Sequence, residues 1–246
     1  MNHLVIANWK MHMTGTQAAA FLETFLDQPL PDVDVVIAPP ATAIAQVAWR
    51  LRGTSIGVGG QDMYWEPSGA FTGAISAPML IDAGATFVIL GHSERRRYFG
   101  ETDAGVNRKV RSALENGLTP VICVGESADE REAGRAIDRV VAQTRAALEG
   151  LDAADASRVV MAYEPLWAIG SGKNCNAADA DATMGAIRGS IPGLERVRVL
   201  YGGSVKPENV AAYSKMPNND GGLVGGASLD PVAFAALIRA AQAGSA

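Results

Sequence analysis

The sequence predicts a single-domain (β/α)8 barrel with eight parallel strands over residues 1–246, and three observations lead to this prediction. Short apolar runs recur about every thirty residues, and each is followed by glycine, proline, asparagine or another polar residue. Helical patterns lie between these runs. The length of 246 residues is also typical of one α/β barrel.

Several of the runs are apolar at every position, which is typical of parallel strands buried on both faces. An open, doubly wound sheet is the alternative architecture for the same pattern. The eight predicted strands are Leu4–Ala7, Val35–Ala38, Ser55–Gly59, Phe87–Leu90, Pro120–Val124, Val159–Ala162, Val197–Leu200 and Gly222–Val224.

Three segments between the strands carry helix signals. Val106, Val110 and Leu114 are spaced four residues apart, and Asn116-Gly117 follows them as a stop signal. Asp230-Pro231 predicts an N-cap with proline at the first helical position. The third segment is an apolar stripe that Gly150 closes, formed by Ile137, Val140, Val141, Thr144 and Leu148.

Composition and charge narrow the classes of function. Hydrophobic residues make up 48% of the chain and charged residues 19%, which is enough for a sizeable core. The net charge of -5 argues against binding nucleic acid or an anionic membrane surface. A phosphate ligand would therefore have to be held by local backbone amides and one or two placed cations.

The location is expected to be cytoplasmic. Cys123 and Cys175 cannot form the disulfide framework of a small secreted scaffold. The N-terminal residues lack the basic region of a signal peptide, and the uncharged stretch from Val35 to Trp49 is broken by Pro39-Pro40.

Residues that directly follow the strands are the candidate site residues, because barrels build active sites at the carboxyl ends of their strands. Asn8 and Lys10 follow the first strand, where an ammonium could neutralise a substrate dianion. His92 follows the fourth strand and begins a polar stretch that can start a helix, so the helix dipole would keep the imidazole neutral. A solvated lysine and a packed histidine are the alternatives.

An acidic residue and a bulky apolar segment follow the sixth strand. Glu164 is a candidate base, and the segment after it is suited to a lid that closes over a ligand and excludes water. A packed surface loop is the alternative. The predicted lid consists of Pro165, Leu166, Trp167, Ala168, Ile169, Gly170, Ser171, Gly172 and Lys173.

Glycine-rich loops follow the seventh and eighth strands, where barrels commonly bind phosphate. Gly202-Gly203-Ser204 and Gly225-Gly226-Ala227-Ser228 would let backbone N–H groups approach an anion closely. We find no metal-binding or dinucleotide-binding signature: none of the three histidines has HExxH spacing, and the glycines after the third strand lack the last glycine of a dinucleotide fingerprint.

Together these segments resemble the triose-phosphate isomerase family over essentially the whole chain. The segments that carry the resemblance are Ala7-Asn8-Trp9-Lys10, Gly73 to Leu80, Gly91-His92-Ser93-Glu94-Arg95-Arg96, Val124-Gly125-Glu126, Ala162 to Gly170, Tyr201-Gly202-Gly203-Ser204-Val205 and Val224-Gly225-Gly226-Ala227-Ser228.

The resemblance implies a TIM barrel that interconverts dihydroxyacetone phosphate and glyceraldehyde 3-phosphate without a cofactor or metal, in glycolysis and gluconeogenesis. By analogy with the family, Glu164 transfers the proton and His92 polarises the carbonyl, while Lys10 and Asn8 bind the substrate and steady the enediolate. Supporting roles fall to Ser93, Glu94 and Cys123, and the phosphate rests on amides of Gly170, Ser204, Gly225 and Gly226.

The resemblance also implies a homodimer in which the loop Asp62–Ser76 reaches the second subunit. Thr72 would approach the partner's site, and Arg95 would lie at the contact. Ala74 stands where the family usually has an acidic residue, so Arg95 loses its usual partner, which bears on the strength of the dimer. The ending of the lid, Lys173-Asn174-Cys175, also departs from the family pattern, and the sequence gives no account of the segment 218–222.

Two alternative functions stay open at this point. The first is an isomerase of the same family that acts on a tetrose phosphate, because pocket size is not readable from the sequence. The second is a catalytically idle phosphate-binding protein.

Overall fold

The computed structural model describes residues 3–169, 174–191, 193–205 and 209–245, and its strands form one closed parallel barrel. Each strand pairs with its neighbour in chain order, and the first strand pairs with the eighth. The predicted fold class, a (β/α)8 TIM barrel, is therefore confirmed, and the open-sheet alternative is wrong.

The described part of the chain contains eight strands and eleven α-helices. The strands are β1 Leu4–Asn8, β2 Asp34–Ala38, β3 Gly57–Gly60, β4 Phe87–Leu90, β5 Thr119–Val124, β6 Val160–Tyr163, β7 Arg198–Tyr201 and β8 Gly221–Val224. The α-helices are α1 Gly15–Leu26, α2 Ile44–Arg50, α3 Ala77–Asp82, α4 Ser93–Phe99, α5 Asp103–Glu115, α6 Ala128–Glu132, α7 Ala136–Ala147, α8 Ala153–Ala156, α9 Ala177–Arg188, α10 Val210–Ser214 and α11 Pro231–Ser245. Short 3₁₀ turns lie at Ala41–Ala43, Leu166–Ala168, Leu194–Arg196 and Gly226–Ser228.

All eight predicted strands are present, and the largest error is at β3. This strand begins at Gly57 instead of Ser55, because its pairing with β2 starts where Gly57 lies opposite Val36. An apolar run shows that a segment is buried, but the pairing with a neighbour decides where the strand begins.

The helix predictions hold for α5 and in part for α7. Val106, Val110 and Leu114 are all buried on one face of α5, as predicted. On α7 the prediction is wrong for Ile137, which lies in the first turn and is 46% exposed. Gln143 is buried on that helix without being predicted, since its side-chain oxygen accepts a hydrogen bond from a backbone N–H at the end of β5.

The barrel has two apolar layers that follow from the alternation of side chains along a strand. On β1, Leu4 and Ile6 point into the barrel, while Val5 and Ala7 pack outward against the helices. The other strands contribute in the same alternating way, so the interior is filled by side chains. A residue that continues an inward row beyond the strand therefore faces the mouth of the barrel.

The segment 218–222 closes the barrel. The Asp220 carboxylate pairs with Arg188 at 2.5 Å and accepts a hydrogen bond from Val199 N at 2.8 Å. Gly221 has φ +144° and lies so close to β1 that a Cβ would stand 1.9 Å from the Leu4 carbonyl oxygen. Glycine is therefore required at the seam between β8 and β1.

No helix in the described ranges is both long enough and apolar enough to cross a membrane.

Candidate active site

A cavity of about 500 Å³ opens at the carboxyl ends of the strands. The described residues that line it lie at strand ends or in the loops that directly follow β1, β4, β6, β7 and β8, with Leu223 coming from β8 itself. They are Asn8, Lys10, His92, Glu164, Ile169, Gly202, Gly203, Ser204, Val205, Leu223, Gly225, Gly226 and Ala227.

The alternation of the strands explains why the polar groups of the site face this cavity. Asn8 continues the inward row of Ile6, and Glu164 continues the inward row of Ala162. In the same way Gly202 and Ser204 continue the row of Leu200, and Gly225 continues the row of Leu223. The packing that fills the barrel thus also aims its last polar residues at the mouth.

Glu164 is almost completely buried, and both of its carboxylate oxygens are engaged. Oε1 lies 3.0 Å from His92 Nε2, and Oε2 accepts a hydrogen bond from Ser93 N at 2.9 Å. Burial raises the pKa of Glu164, but His92, the Ser93 N–H and the charge of Lys10 lower it more, so the pKa lies below its usual value. The carboxylate is therefore ionised at neutral pH, as a base must be.

His92 forms the N-cap of α4, as the sequence indicated. Its Nδ1 accepts a hydrogen bond from Glu94 N at 3.2 Å, so the ring proton lies on Nε2, which faces Glu164. Burial and the charge of Lys10 lower the pKa of His92, but the charge and hydrogen bond of Glu164, together with the charge of Glu94, raise the pKa above its usual value. This direction is opposite to the one expected from the helix dipole alone. The raised pKa of His92 requires the Glu164 carboxylate beside it. The hydrogen bond to Nδ1, in contrast, comes from the backbone of α4 and does not depend on Glu164.

Lys10 brings a positive charge to the cavity. Its Nζ lies 2.7 Å from Glu94 Oε1, and its backbone N–H donates to Asn8 Oδ1 at 3.0 Å. A Cβ at position 225 would stand 3.2 Å from Lys10 Cε, so Gly225 leaves room for the lysine side chain. The cation and one predicted phosphate loop thus share one wall of the cavity.

Cys123 lies behind the carboxylate of Glu164, in a neighbouring cavity that Ser93 and Glu164 also line. Burial, and next the charge of Glu164, raise the pKa of this thiol well above its usual value. The thiol is therefore neutral and contributes as a packing group beside the carboxylate.

The first half of the predicted lid is tied to the body of the protein. Trp167 donates a hydrogen bond from Nε1 to Glu126 Oε1 at 2.8 Å. The Ala168 carbonyl accepts one from Ser204 Oγ at 2.7 Å, and Ile169 lines the cavity. The remaining lid residues, Gly170, Ser171, Gly172 and Lys173, lie outside the described residues, as does the predicted phosphate contact of Gly170.

Of the two predicted dimer residues, Arg95 lines a second cavity of about 370 Å³, which Lys10 also lines. Thr72 is exposed in the loop between β3 and α3, next to residues that line this cavity. Arg95 pairs with Asp62 of its own chain at 2.8 Å, so Ala74 does not leave the guanidinium unpaired. Lys109 also pairs with Asp62, at 2.7 Å, in the same charged cluster.

One polar residue near the site was not predicted from the sequence. Gln61 directly follows β3, and its side-chain amide donates hydrogen bonds to the carbonyl oxygens of Lys10 and Ala38. Its position after a strand was the available signal. A glutamine carries no reactive group, however, and its role depends on partners that only the structure shows.

The fold and the site define a barrel enzyme whose cavity places a buried carboxylate, an imidazole and an ammonium beside glycine-rich loops. Within the described ranges, no group of three or more His, Cys, Asp or Glu side chains could hold a metal ion.

Comparison with known proteins identifies the family. The family model described as triosephosphate isomerase matches residues 3–241. A protein named triosephosphate isomerase from Symbiobacterium thermophilum is 52% identical over 246 residues, covering 97% of this chain and 96% of the relative. Relatives of the same name from Moorella thermoacetica and Rubrobacter xylanophilus are 49% and 47% identical, and each alignment covers at least 96% of both chains. The chain belongs to the triosephosphate isomerase family.

Proposed function

We propose that this enzyme interconverts dihydroxyacetone phosphate and D-glyceraldehyde 3-phosphate through an enediolate, without a cofactor. Glu164 is the base and His92 the electrophile. The observation that carries this proposal is the buried Glu164 carboxylate, which faces His92 Nε2 across 3.0 Å in a cavity that Lys10 also lines. The names of the relatives support the same reaction.

Proton transfer requires Glu164 to leave its present partners. Both oxygens accept hydrogen bonds here, so the carboxylate must turn away from the Ser93 N–H or from His92 before it can reach a carbon-bound proton. The same turn frees His92 Nε2–H to donate to the substrate carbonyl. Loss of the carboxylate's donors and exclusion of water both make Glu164 a stronger base.

The developing negative charge of the enediolate needs nearby donors. We assign this role to the Nε2–H of His92, the Lys10 ammonium and the amide group of Asn8, which line one cavity. In the neutral form, His92 can donate from Nε2 because Nδ1 already accepts from the helix.

The phosphate group is proposed to rest on backbone amides of Gly225, Gly226 and Ser204, with Gly170 as a fourth contact outside the described residues. Such loops bind an anion without a net positive charge on the protein, which suits a chain with a net charge of -5.

We also propose a homodimer, in which the loop Asp62–Ser76 of one subunit enters the second cavity of the other, with Thr72 near the partner's site and Arg95 at the contact. Four exposed side chains support this proposal, and we call them the apolar rim: Met11, Phe71, Met79 and Phe99. Met11 lines the second cavity, and Phe71 and Met79 line a smaller cavity that shares Tyr64, Ala74 and Ile75 with it. The Phe99 ring lies 4.8 Å from the guanidinium of Arg95, which also lines the second cavity. Since the family's reaction belongs to glycolysis, we place the enzyme in the cytoplasm.

A coupled assay with the purified enzyme tests the function. Glyceraldehyde 3-phosphate and a tetrose phosphate are compared as substrates at equal concentration, and we expect a higher kcat/KM for the triose. Faster turnover of the tetrose would contradict the choice of substrate, and turnover of neither would leave the idle phosphate-binding alternative.

Glu164→Gln serves as the matched variant in this assay. We expect kcat to fall by about three orders of magnitude or more, with little change in the affinity for inorganic phosphate. Glu23→Gln, which alters an exposed carboxylate on α1, should keep the original rate. A Glu164→Gln enzyme with near-normal turnover would refute the assignment of the base.

A further inference from the structure

Lys10 has a backbone conformation that residues with side chains rarely adopt. Its φ is +53°, in the left-handed region, where a non-glycine residue persists only if the surrounding structure holds it. The conformation sets the direction in which the side chain leaves the backbone. It therefore decides whether the ammonium reaches the cavity.

Two side chains hold the backbone polar groups of Lys10. Asn8 Oδ1 accepts a hydrogen bond from the Lys10 N–H at 3.0 Å. Gln61 Nε2 donates to the Lys10 carbonyl oxygen at 2.8 Å and to the Ala38 carbonyl oxygen at 2.9 Å. The Asn8 side chain lines the substrate cavity, whereas Gln61 lines only the second cavity beside it.

The position of Gln61 follows from the barrel. It continues the inward row of Gly57 and Gly59, so its side chain points back across the ends of β2 and β1. The Ala38 carbonyl oxygen also accepts a hydrogen bond from Trp9 N at 3.1 Å. Gln61 thus joins the loop that carries Lys10 to the rigid end of β2.

We propose that Gln61 is a positioning residue for the isomerisation, which holds Lys10 in its left-handed conformation and so keeps the ammonium in the substrate cavity. The inference rests on the proposed function. A primary amide suits this task because its two N–H groups can serve two carbonyl oxygens at once, while the length of the side chain spans the gap from β3.

The test compares two amides that make the same kind of contact. Gln61→Met removes both hydrogen bonds and keeps an unbranched side chain of similar length. In the control, Asn107→Leu, the lost bonds are those from Asn107 Nδ2 to the carbonyl oxygens of Ala147 and Glu149, at 3.0 and 3.1 Å, and the one that Asn107 Oδ1 accepts from Arg111 Nε at 3.3 Å, all of them outside the barrel strands. Activity of the unsubstituted enzyme on glyceraldehyde 3-phosphate is measured first, and its absence would count against the proposed function rather than against Gln61.

We expect kcat/KM to fall about 10- to 100-fold in Gln61→Met and to stay within about twofold in Asn107→Leu. If Gln61→Met does not fold, Gln61→Asn is used, since it keeps the amide but is one methylene too short to serve both carbonyls. Equal kcat/KM values in the Gln61 variant and the Asn107 variant would overturn the proposal.

A double-mutant cycle separates positioning from a general loss of structure. In a Lys10→Met background, assayed at high enzyme concentration, the Gln61 substitution should cause no further loss of kcat/KM, because the group that it positions is already gone. A loss of the same factor in both backgrounds would show that Gln61 acts independently of Lys10, and the proposal would be wrong.

Discussion

The charge states of Glu164 and His92 depend on each other because the two groups are buried and in contact. His92 is one of the groups that lower the pKa of Glu164, and Glu164 raises the pKa of His92. A raised histidine pKa stabilises the fold below the usual value of 6.5, and this contribution is lost as the pH rises through the folded-state pKa. The pair therefore stabilises the resting site, while the proposed reaction needs the pair to separate.

We predict that Glu164→Gln lowers the pKa of His92. The substitution removes the larger of the two charges that raise this pKa and leaves only the smaller effect of Glu94 against the two influences that lower it, burial and the charge of Lys10. An NMR titration of the histidine ring signals measures the change. His3 provides an internal control because it precedes β1, at the opposite end of the barrel, so its curve should not move. An unchanged or higher pKa of His92 would contradict the assigned cause.

At the scale of residues, the sequence identified site residues where a position after a strand coincides with a polar or charged side chain. Asn8, Lys10, His92 and Glu164 follow strands and carry polar or charged groups, and the structure brings all four to one cavity. Gln61 also follows a strand, but its proposed role depends on hydrogen bonds to two backbone carbonyl oxygens that are distant in the sequence.

At the scale of elements, α11 is the helix whose start the sequence located best. Asp230 Oδ1 accepts a hydrogen bond from Ala233 N at 2.7 Å, and Pro231 occupies the first helical position, as predicted. Farther along the helix, the buried Phe234 stacks on Phe25 of α1 at 5.4 Å. The cap therefore fixes the start of a helix that packs against the first helix of the barrel.

We predict that Asp230→Ala lowers the free energy of unfolding by about 1 kcal/mol, because one backbone N–H in the first turn loses its acceptor. Asp230→Asn keeps a capping oxygen and should lie within a few tenths of a kcal/mol of the unsubstituted protein. Urea denaturation monitored by circular dichroism measures both values. Equal losses in the two variants would mean that the carboxylate charge, and not the cap, is what stabilises the helix.

The wrong predictions for single helix residues have one physical origin. Whether a side chain is buried depends on the groups that pack against it or bond to it, and its apolar or polar character does not identify those groups. Ile137 is apolar yet exposed because it occupies the first turn of α7, outside the packed face. Gln143 is polar yet buried because the N–H of Gly125 provides a partner for its oxygen. The partner of Gln143 lies 18 residues away in the sequence, so a local pattern does not show it.

At the scale of the whole molecule, closure of the barrel turns separate strand ends into one site. Once the sequence predicts eight parallel strands, their carboxyl ends must share one rim, so the loops after β1, β4, β6, β7 and β8 can be expected to meet. The charge partner of Arg95 could not be expected, because Asp62 lies thirty-odd residues away and belongs to a loop without a regular pattern.

The surface around the second cavity leads to the prediction that the enzyme is a dimer at micromolar concentration. In the apolar rim, Met11 is 95% exposed and Phe99 70% exposed, which a second subunit would bury. Light scattering should give twice the chain mass of 25.6 kDa. Because Arg95 already pairs with Asp62 in its own chain, the contact needs no ion pair between subunits, and the mass should change little between low and high salt.

Met11→Glu should shift the particle toward 25.6 kDa, whereas Val232→Glu, at an exposed apolar position on α11, should not. A 25.6 kDa particle for the unsubstituted chain would rule out the dimer. Equal dissociation of both variants would mean that the contact does not lie at the apolar rim.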